Sequence, residues 1–97
     1  MNIEKKEEGS KTILYLEGWM DTENASALAQ ALNELDDSVE QLVLDMEKLE
    51  YISSTGIRQI IAAYKQMNGA LTVVNVSSEI MSVLKMIGLD KKIDIKE

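Results

Sequence analysis

The fold and function of this chain both turn on a short run of residues near its centre: Leu49-Glu50-Tyr51-Ile52-Ser53-Ser54-Thr55-Gly56-Ile57-Arg58. Three consecutive hydroxyl side chains lie there between an apolar run and a segment with helical periodicity. A helix N-terminus has free backbone N–H groups and a partial positive charge, so it favours hydroxyl caps, carboxylates and phosphate. A hydroxyl at this position can cap the helix, and it can also accept a phosphate that changes the local charge.

The residues on either side of this run predict a strand and a helix. Leu42-Val43-Leu44 is continuously apolar, which is typical of a strand buried on both faces of a sheet, and we expect Asp45 to end it. After the hydroxyls, helical spacing of apolar residues predicts a helix from about Thr55 to Asn68. Gly69 fits the position just beyond its C-terminus.

The remaining elements follow from periodicity, capping residues and turn residues. The last helix is expected to pack through Ile80, Val83, Leu84 and Ile87, while Met20, Met81 and Met86 fit the apolar stripes poorly and are interpreted as gap-fillers. The other predicted segments are strands over 2–8, 11–18, 70–76 and 92–95, and helices from 21–22 to about 35 and from 77–78 to 87.

The resulting order, β-β-α-β-α-β-α-β, predicts an α/β fold with a mixed, largely parallel central sheet packed against helices. Gly9-Ser10 predicts a hairpin between the first two strands, the first of which is charged enough for a sheet edge. With 97 residues and neither a linker nor a repeat, we expect a single domain over 1–97.

Composition excludes several kinds of chemistry. The chain has no cysteine and no histidine, which removes thiol nucleophiles, imidazole bases and Cys/His zinc sites. We therefore expect no catalytic residues, no metal and no cofactor. Neither an apolar run long enough to cross a bilayer nor a signal-peptide core is present, so the expected location is the cytoplasm, without membrane insertion.

The net charge of −7 argues against nucleic-acid partners, because the ten basic residues are scattered among seventeen acidic ones. Anionic membrane surfaces are disfavoured for the same reason. A protein is the expected partner. The sequence leaves a monomer and a weak dimer both open.

The central motif resembles the signature of STAS domains, particularly the small anti-sigma factor antagonists of bacteria. In that family a strand ending in Asp leads to an aromatic-aliphatic pair, then to Asp-Ser-Ser-Gly and a helix. The resemblance covers nearly the whole chain, and further matches lie at Gly18-Trp19-Met20-Asp21, in the strand Leu71–Val76, and around Leu84, Gly88 and Leu89.

The resemblance implies a phosphorylation switch. Such antagonists bind an anti-sigma factor, usually a serine/threonine kinase, and so release a sigma factor. The kinase phosphorylates the hydroxyl just before the motif glycine, and a metal-dependent phosphatase reverses this step. The acceptor matches Thr55, and the implied phosphorylation and partner surface comprises Ser53, Ser54, Gly56, Asp21 and Arg58.

Two departures from the family motif bear on the switch. Ser53 stands where the family has Asp, and Thr55 stands where the acceptor is usually Ser. Asp21 is interpreted either as a helix cap or as part of the partner surface, and Asp45 as a strand terminator. Trp19 is either an interface anchor or a cover for one end of the core.

Two other classes of function stay open. One is a constitutive STAS subunit of a larger assembly, such as a lipid-transport complex or a signalling scaffold. The other is a nucleotide-binding module, which ranks last because the chain has no Gly-rich phosphate loop.

Overall fold

A five-stranded sheet and three helices make up the computed structural model, which describes residues 1–97. The expected order of elements is confirmed, with one short 3-10 helix added near the C-terminus. The elements are β1 (Asn2–Glu8), β2 (Lys11–Met20), α1 (Ala25–Asn33), β3 (Gln41–Ile52), α2 (Ser54–Gln66), β4 (Leu71–Val74), α3 (Ser78–Met86), a 3-10 helix (Leu89–Lys91) and β5 (Asp94–Ile95).

The strands lie in the sheet in their order along the chain, β1-β2-β3-β4-β5. β1 pairs with β2 antiparallel, and the other three pairings are parallel. This is the mixed, largely parallel sheet that the sequence predicts. Because β2, β3 and β4 run in the same direction, the segments that follow them emerge at one edge of the sheet.

One continuous cluster of 21 buried hydrophobic residues joins the helices to one face of the sheet. Leu14, Leu44 and Val73 supply its centre from three neighbouring strands, and Leu28 and Ile60 from α1 and α2. None of the three helices is both long enough and apolar enough to span a lipid bilayer.

The opposite face of the sheet, which we call the outer face, is only partly covered. It carries the half-buried Ile13, Val43, Thr72 and Val74 together with the exposed Tyr15. The prediction that Leu42-Val43-Leu44 is buried on both faces is therefore wrong, because Val43 points away from the helices while its two neighbours enter the core.

β3 also runs further than predicted. Its pairing with β4 stops at Asp45, but its pairing with β2 continues to Ile52 through two irregularities in register. Each irregularity places one extra residue in β3, as a β-bulge does. Asp45 consequently lies inside the strand, and the interpretation of Asp45 as a terminator is wrong.

The apolar face of α3 differs from the expected one. Ile80 and Leu84 are buried as predicted, but the third buried position is Met81, and Val83 and Ile87 are exposed. Met20 is also fully buried. The buried face of α3 is thus centred on Ile80, Met81 and Leu84, and hydrophobicity alone does not distinguish it from the outward side, which also carries apolar residues. Met86 is 83% exposed, so the interpretation of Met86 as a gap-filler is wrong.

Candidate functional site

Ser53 is the N-cap of α2. Its backbone is extended (φ −90°, ψ 170°), and its Oγ accepts a hydrogen bond from the Gly56 N–H at 3.1 Å. The Ser53 N–H donates to the Met20 carbonyl at 2.8 Å, and the Ser53 carbonyl accepts from the Ile57 N–H at 2.9 Å. Buried and bonded through three groups, Ser53 fixes the start of the helix against the end of β2.

The hydroxyls of Ser54 and Thr55 do not cap the helix. Ser54 is exposed and Thr55 is half-buried, at the first and second positions of α2. No side-chain hydrogen bond engages either hydroxyl. Capping and modification can therefore fall on different residues, and Thr55 keeps a free hydroxyl beside the unpaired N–H groups of the first helical turn.

Gly56 allows the first turn of α2 to approach β2 and β3 closely. A Cβ at this position would lie 2.7 Å from Met20 Sδ and 2.9 Å from Ile52 Cγ1. Backbone conformation does not require a glycine here, since its φ is not positive. The requirement is one of space, and it sets the distance between Thr55 and the ends of the two strands.

Asp21 stabilises the turn between β2 and α1. Its Oδ1 accepts from the Asn24 N–H at 2.8 Å, and its carbonyl accepts from the Ala25 N–H at 2.9 Å. The helix itself starts at Ala25, with Asn24 at the N-cap, so the expected start at Asp21-Thr22 is about one turn too early. This turn and the start of α2 both follow strands that end at the same edge of the sheet.

Asp45 joins β3 to the segment that leads into α3. Its Oδ2 accepts from the Asn75 side-chain N–H at 2.9 Å, and its Oδ1 accepts from the Glu47 N–H at 3.0 Å. Asn75 has a left-handed backbone (φ 57°) directly after β4. The carboxylate thus holds a turn and a bulge in place.

An exposed aromatic pair lies beside the hydroxyl cluster. Trp19 and Tyr51 are register partners on β2 and β3, with ring centroids 5.2 Å apart and planes tilted by 32°. Trp19 is 55% exposed and Tyr51 43% exposed, although the residues that follow them, Met20 and Ile52, are buried. This exposure does not fit a cover for one end of the core, and the interpretation of Trp19 as an interface anchor stays a prediction.

Sequence reasoning missed Tyr51 as a member of this surface. A bulge at Glu50 shifts the register between Gly18 and Trp19, and so brings Tyr51 opposite Trp19. The aromatic-aliphatic pair Tyr51-Ile52 before the hydroxyls was the available signal in the sequence, but it does not show that Tyr51 lies opposite Trp19.

Carboxylates predominate around the aromatic pair. Lys48 on β3 is paired with Glu17 at 3.9 Å, and the other charged side chains of these two strand ends and of the turn after β2 are acidic: Asp21, Glu23, Glu47 and Glu50. Arg58, one turn into α2, is exposed and forms no salt bridge. No cluster of three or more carboxylates is arranged to hold a metal ion.

A model of the STAS domain family matches residues 2–97, so the chain belongs to the STAS family. Its fold matches those of solved structures. An anti-sigma factor antagonist from Mycobacterium paratuberculosis superposes with a TM-score of 0.88 at 23% identity, over 98% of this chain and 84% of that one.

Two further solved structures share the fold at lower identity. The phosphorylated form of the Bacillus cell-fate determinant SpoIIAA gives a TM-score of 0.70 at 14% identity, over 97% of this chain and 90% of that one. A sulfate transporter family protein from Wolinella succinogenes gives 0.77 at 17% identity, over 90% and 76%. The fold therefore occurs in regulators and in a transporter-family protein.

Proposed function

We propose that this chain is an anti-sigma factor antagonist that binds a kinase-type anti-sigma factor and so releases a sigma factor. Phosphorylation at Thr55 ends the binding, and a metal-dependent serine/threonine phosphatase restores it. The role is binding rather than catalysis. One observation carries the proposal: Ser53 caps α2, which leaves the Thr55 hydroxyl free and accessible.

The position of Thr55 explains how the fold tolerates a phosphate. The first turn of a helix offers unpaired N–H groups and the positive end of the helix dipole. SpoIIAA, which has the same fold, has been solved in a phosphorylated form. We therefore expect modification of Thr55 to leave the fold unchanged.

Partner binding is more sensitive to the same change. Phosphate adds roughly −1.5 to −2 units of charge at neutral pH. Met20, which follows Trp19, accepts a hydrogen bond from the N–H of Ser53, two residues before Thr55. A partner that packs on Trp19 and Tyr51 therefore covers a surface next to Thr55. A dianion in that contact that faces carboxylates or an apolar surface of the partner lowers the affinity, because it is repelled there or loses its hydration.

Ser53 in place of the family's Asp is compatible with this mechanism. Serine and aspartate are both strong N-caps, so the local backbone is kept while one carboxylate beside the acceptor is lost. The loss changes the charge seen by a kinase more than it changes the start of α2.

Affinity purification from a lysate of the native organism tests the proposal, with Thr55→Ala and Thr55→Glu proteins as baits and mass spectrometry as the readout. A kinase-like anti-sigma protein held by the Ala bait and lost from the Glu bait is the expected result. Gln30→Glu is the matched control, since it adds the same charge at an exposed position of α1 outside this surface, and its bait should keep the partner. If the same partner is retained by both Thr55 baits, the switch is wrong.

A constitutive STAS subunit of a larger assembly is the second candidate. The likeness to a sulfate transporter family protein favours it, because that protein carries the same fold in another setting. The same purification distinguishes the two: an identical non-kinase assembly on both Thr55 baits supports the constitutive subunit.

A further inference from the structure

The outward side of α3 carries an apolar patch formed by Val83, Met86 and Ile87. These side chains are 40%, 83% and 53% exposed. Spacings of three and four place them next to one another on a helix surface. They lie away from Ile80 and Leu84, which enter the core. A contiguous exposed apolar patch of this kind is a candidate interaction surface.

The charges at the two ends of this patch are opposite. Glu79, in the first turn of α3, lies one helical turn before Val83 and is exposed. Lys91, the last residue of the 3-10 helix that packs against α3, and Lys92, which follows it, are both exposed. The surface therefore runs from an acidic end through an apolar centre to a basic end.

We propose that a second copy of this chain covers the patch, with the two α3 helices antiparallel about a twofold axis near Met86. In this arrangement Val83 of one copy faces Ile87 of the other. Glu79 faces the basic end, so the surface is complementary to itself, as a twofold interface must be.

The distribution of charge favours self-association through α3 rather than through the aromatic pair Trp19 and Tyr51. The whole chain carries −7, but residues 78–92 hold three lysines against one glutamate and one aspartate. Two copies that meet there avoid most of the mutual repulsion. At Trp19 and Tyr51 the surrounding carboxylates of both copies would be brought together, which opposes self-association.

The dimer leaves the phosphorylation surface free. α3 follows β4 and runs back across the sheet, so Val83, Met86 and Ile87 lie on its C-terminal half, away from the edge where β3 leads into Thr55. The patch is small beside a standard interface of about 1,600 Å². The expected state is a weak dimer that presents two copies of the Thr55 site, and the inference does not depend on what that site binds.

Sedimentation equilibrium of the full chain, from micromolar to millimolar concentration, tests the dimer. We expect concentration-dependent dimerisation that Met86→Asp weakens by at least about tenfold, as truncating a central interface residue does. Glu79→Lys and Lys91→Glu each weaken it, and the two changes together restore it. Because Met86 is almost fully exposed, its variant should fold, and circular dichroism checks this.

Dilution of the wild-type protein, followed by amide NMR, gives a readout that needs no variant. Shifts confined to residues 79–92 support the assignment. A wild-type chain that remains monomeric overturns it and leaves the patch to another protein. Dimerisation unaffected by Met86→Asp, or a charge-reversed pair that fails to restore association, also overturns it.

Discussion

At the scale of single residues, the sequence locates the site but does not assign its roles. Ser53, Ser54 and Thr55 are all residue types that cap helices, and their order does not say which one does so. Hydrogen-bond geometry decides, because only the Ser53 Oγ reaches the Gly56 N–H. The assignment of Thr55 as acceptor stays a prediction that came from the family resemblance.

Replacing Ser53 and Thr55 separately tests this assignment of roles. Ser53→Ala should lower the free energy of unfolding by about 1 kcal/mol through loss of the N-cap, whereas Ser53→Asp should restore most of it. Thr55→Ala should change stability much less, since its hydroxyl makes no hydrogen bond. Urea unfolding measures all three, and equal losses for Ser53→Ala and Thr55→Ala would contradict the assignment.

Gly56 gives a second residue-scale prediction. Gly56→Ala places a Cβ 2.7 Å from Met20 Sδ, so the strand end or the helix must move. We expect a loss of about 1 to 3 kcal/mol in unfolding free energy, as for other overpacked core sites. Ala favours helix over Gly, so an unchanged or raised stability would show that Met20 moves aside freely. Ser54→Ala, at an exposed position two residues earlier in the same helical turn, is the control.

At the scale of elements, periodicity predicted the helices better than the full length of β3. The buried residues Met46, Leu49 and Ile52 recur every third position, because each bulge inserts one residue into a two-residue alternation. A pattern with period three resembles neither an ordinary strand nor a helix, so the strand was predicted to end at Asp45. Pairing with β2, which single-sequence periodicity does not contain, keeps this segment extended.

The hairpin of β1 and β2 has a pH-dependent ion cluster. A hydrogen bond from Lys6 and its charge, followed by the charge of Lys11, lower the pKa of the exposed Glu8 below its ordinary value. A lowered folded-state pKa means that this stabilisation is present above the ordinary glutamate range and is lost as pH falls through the folded-state pKa.

Glu8→Gln should therefore lower the thermal midpoint slightly at neutral pH, with the difference from wild type disappearing in acid. The effect is small and weakens with added salt, because the pairs are exposed. Thermal unfolding at neutral and acidic pH measures it, with Glu4→Gln as the unpaired control on the same strand. A difference that grows on acidification would show that the pairing does not stabilise the hairpin.

At the scale of the whole molecule, the alternation of strands and helices was enough to predict the sheet and its largely parallel order. It was not enough to predict how many layers cover the sheet. Leu42-Val43-Leu44 reads as buried on both faces, yet all helices join one core cluster and Val43 lies on the outer face. An apolar residue on a half-covered face costs little, so hydrophobicity alone does not distinguish one covered face from two.

The same substitution on the two faces tests this layering. Val73 on β4 is fully buried, whereas Val43 on β3 is half-buried and pairs in register with Thr72. Val→Thr keeps the shape and β propensity while adding a hydroxyl. Val73→Thr buries that hydroxyl among apolar side chains and should cost about 1 to 3 kcal/mol, whereas Val43→Thr should stay within about 0.5 kcal/mol of wild type, as surface changes do. Urea unfolding measures both, and equal losses would mean that the outer face is covered as completely as the inner one.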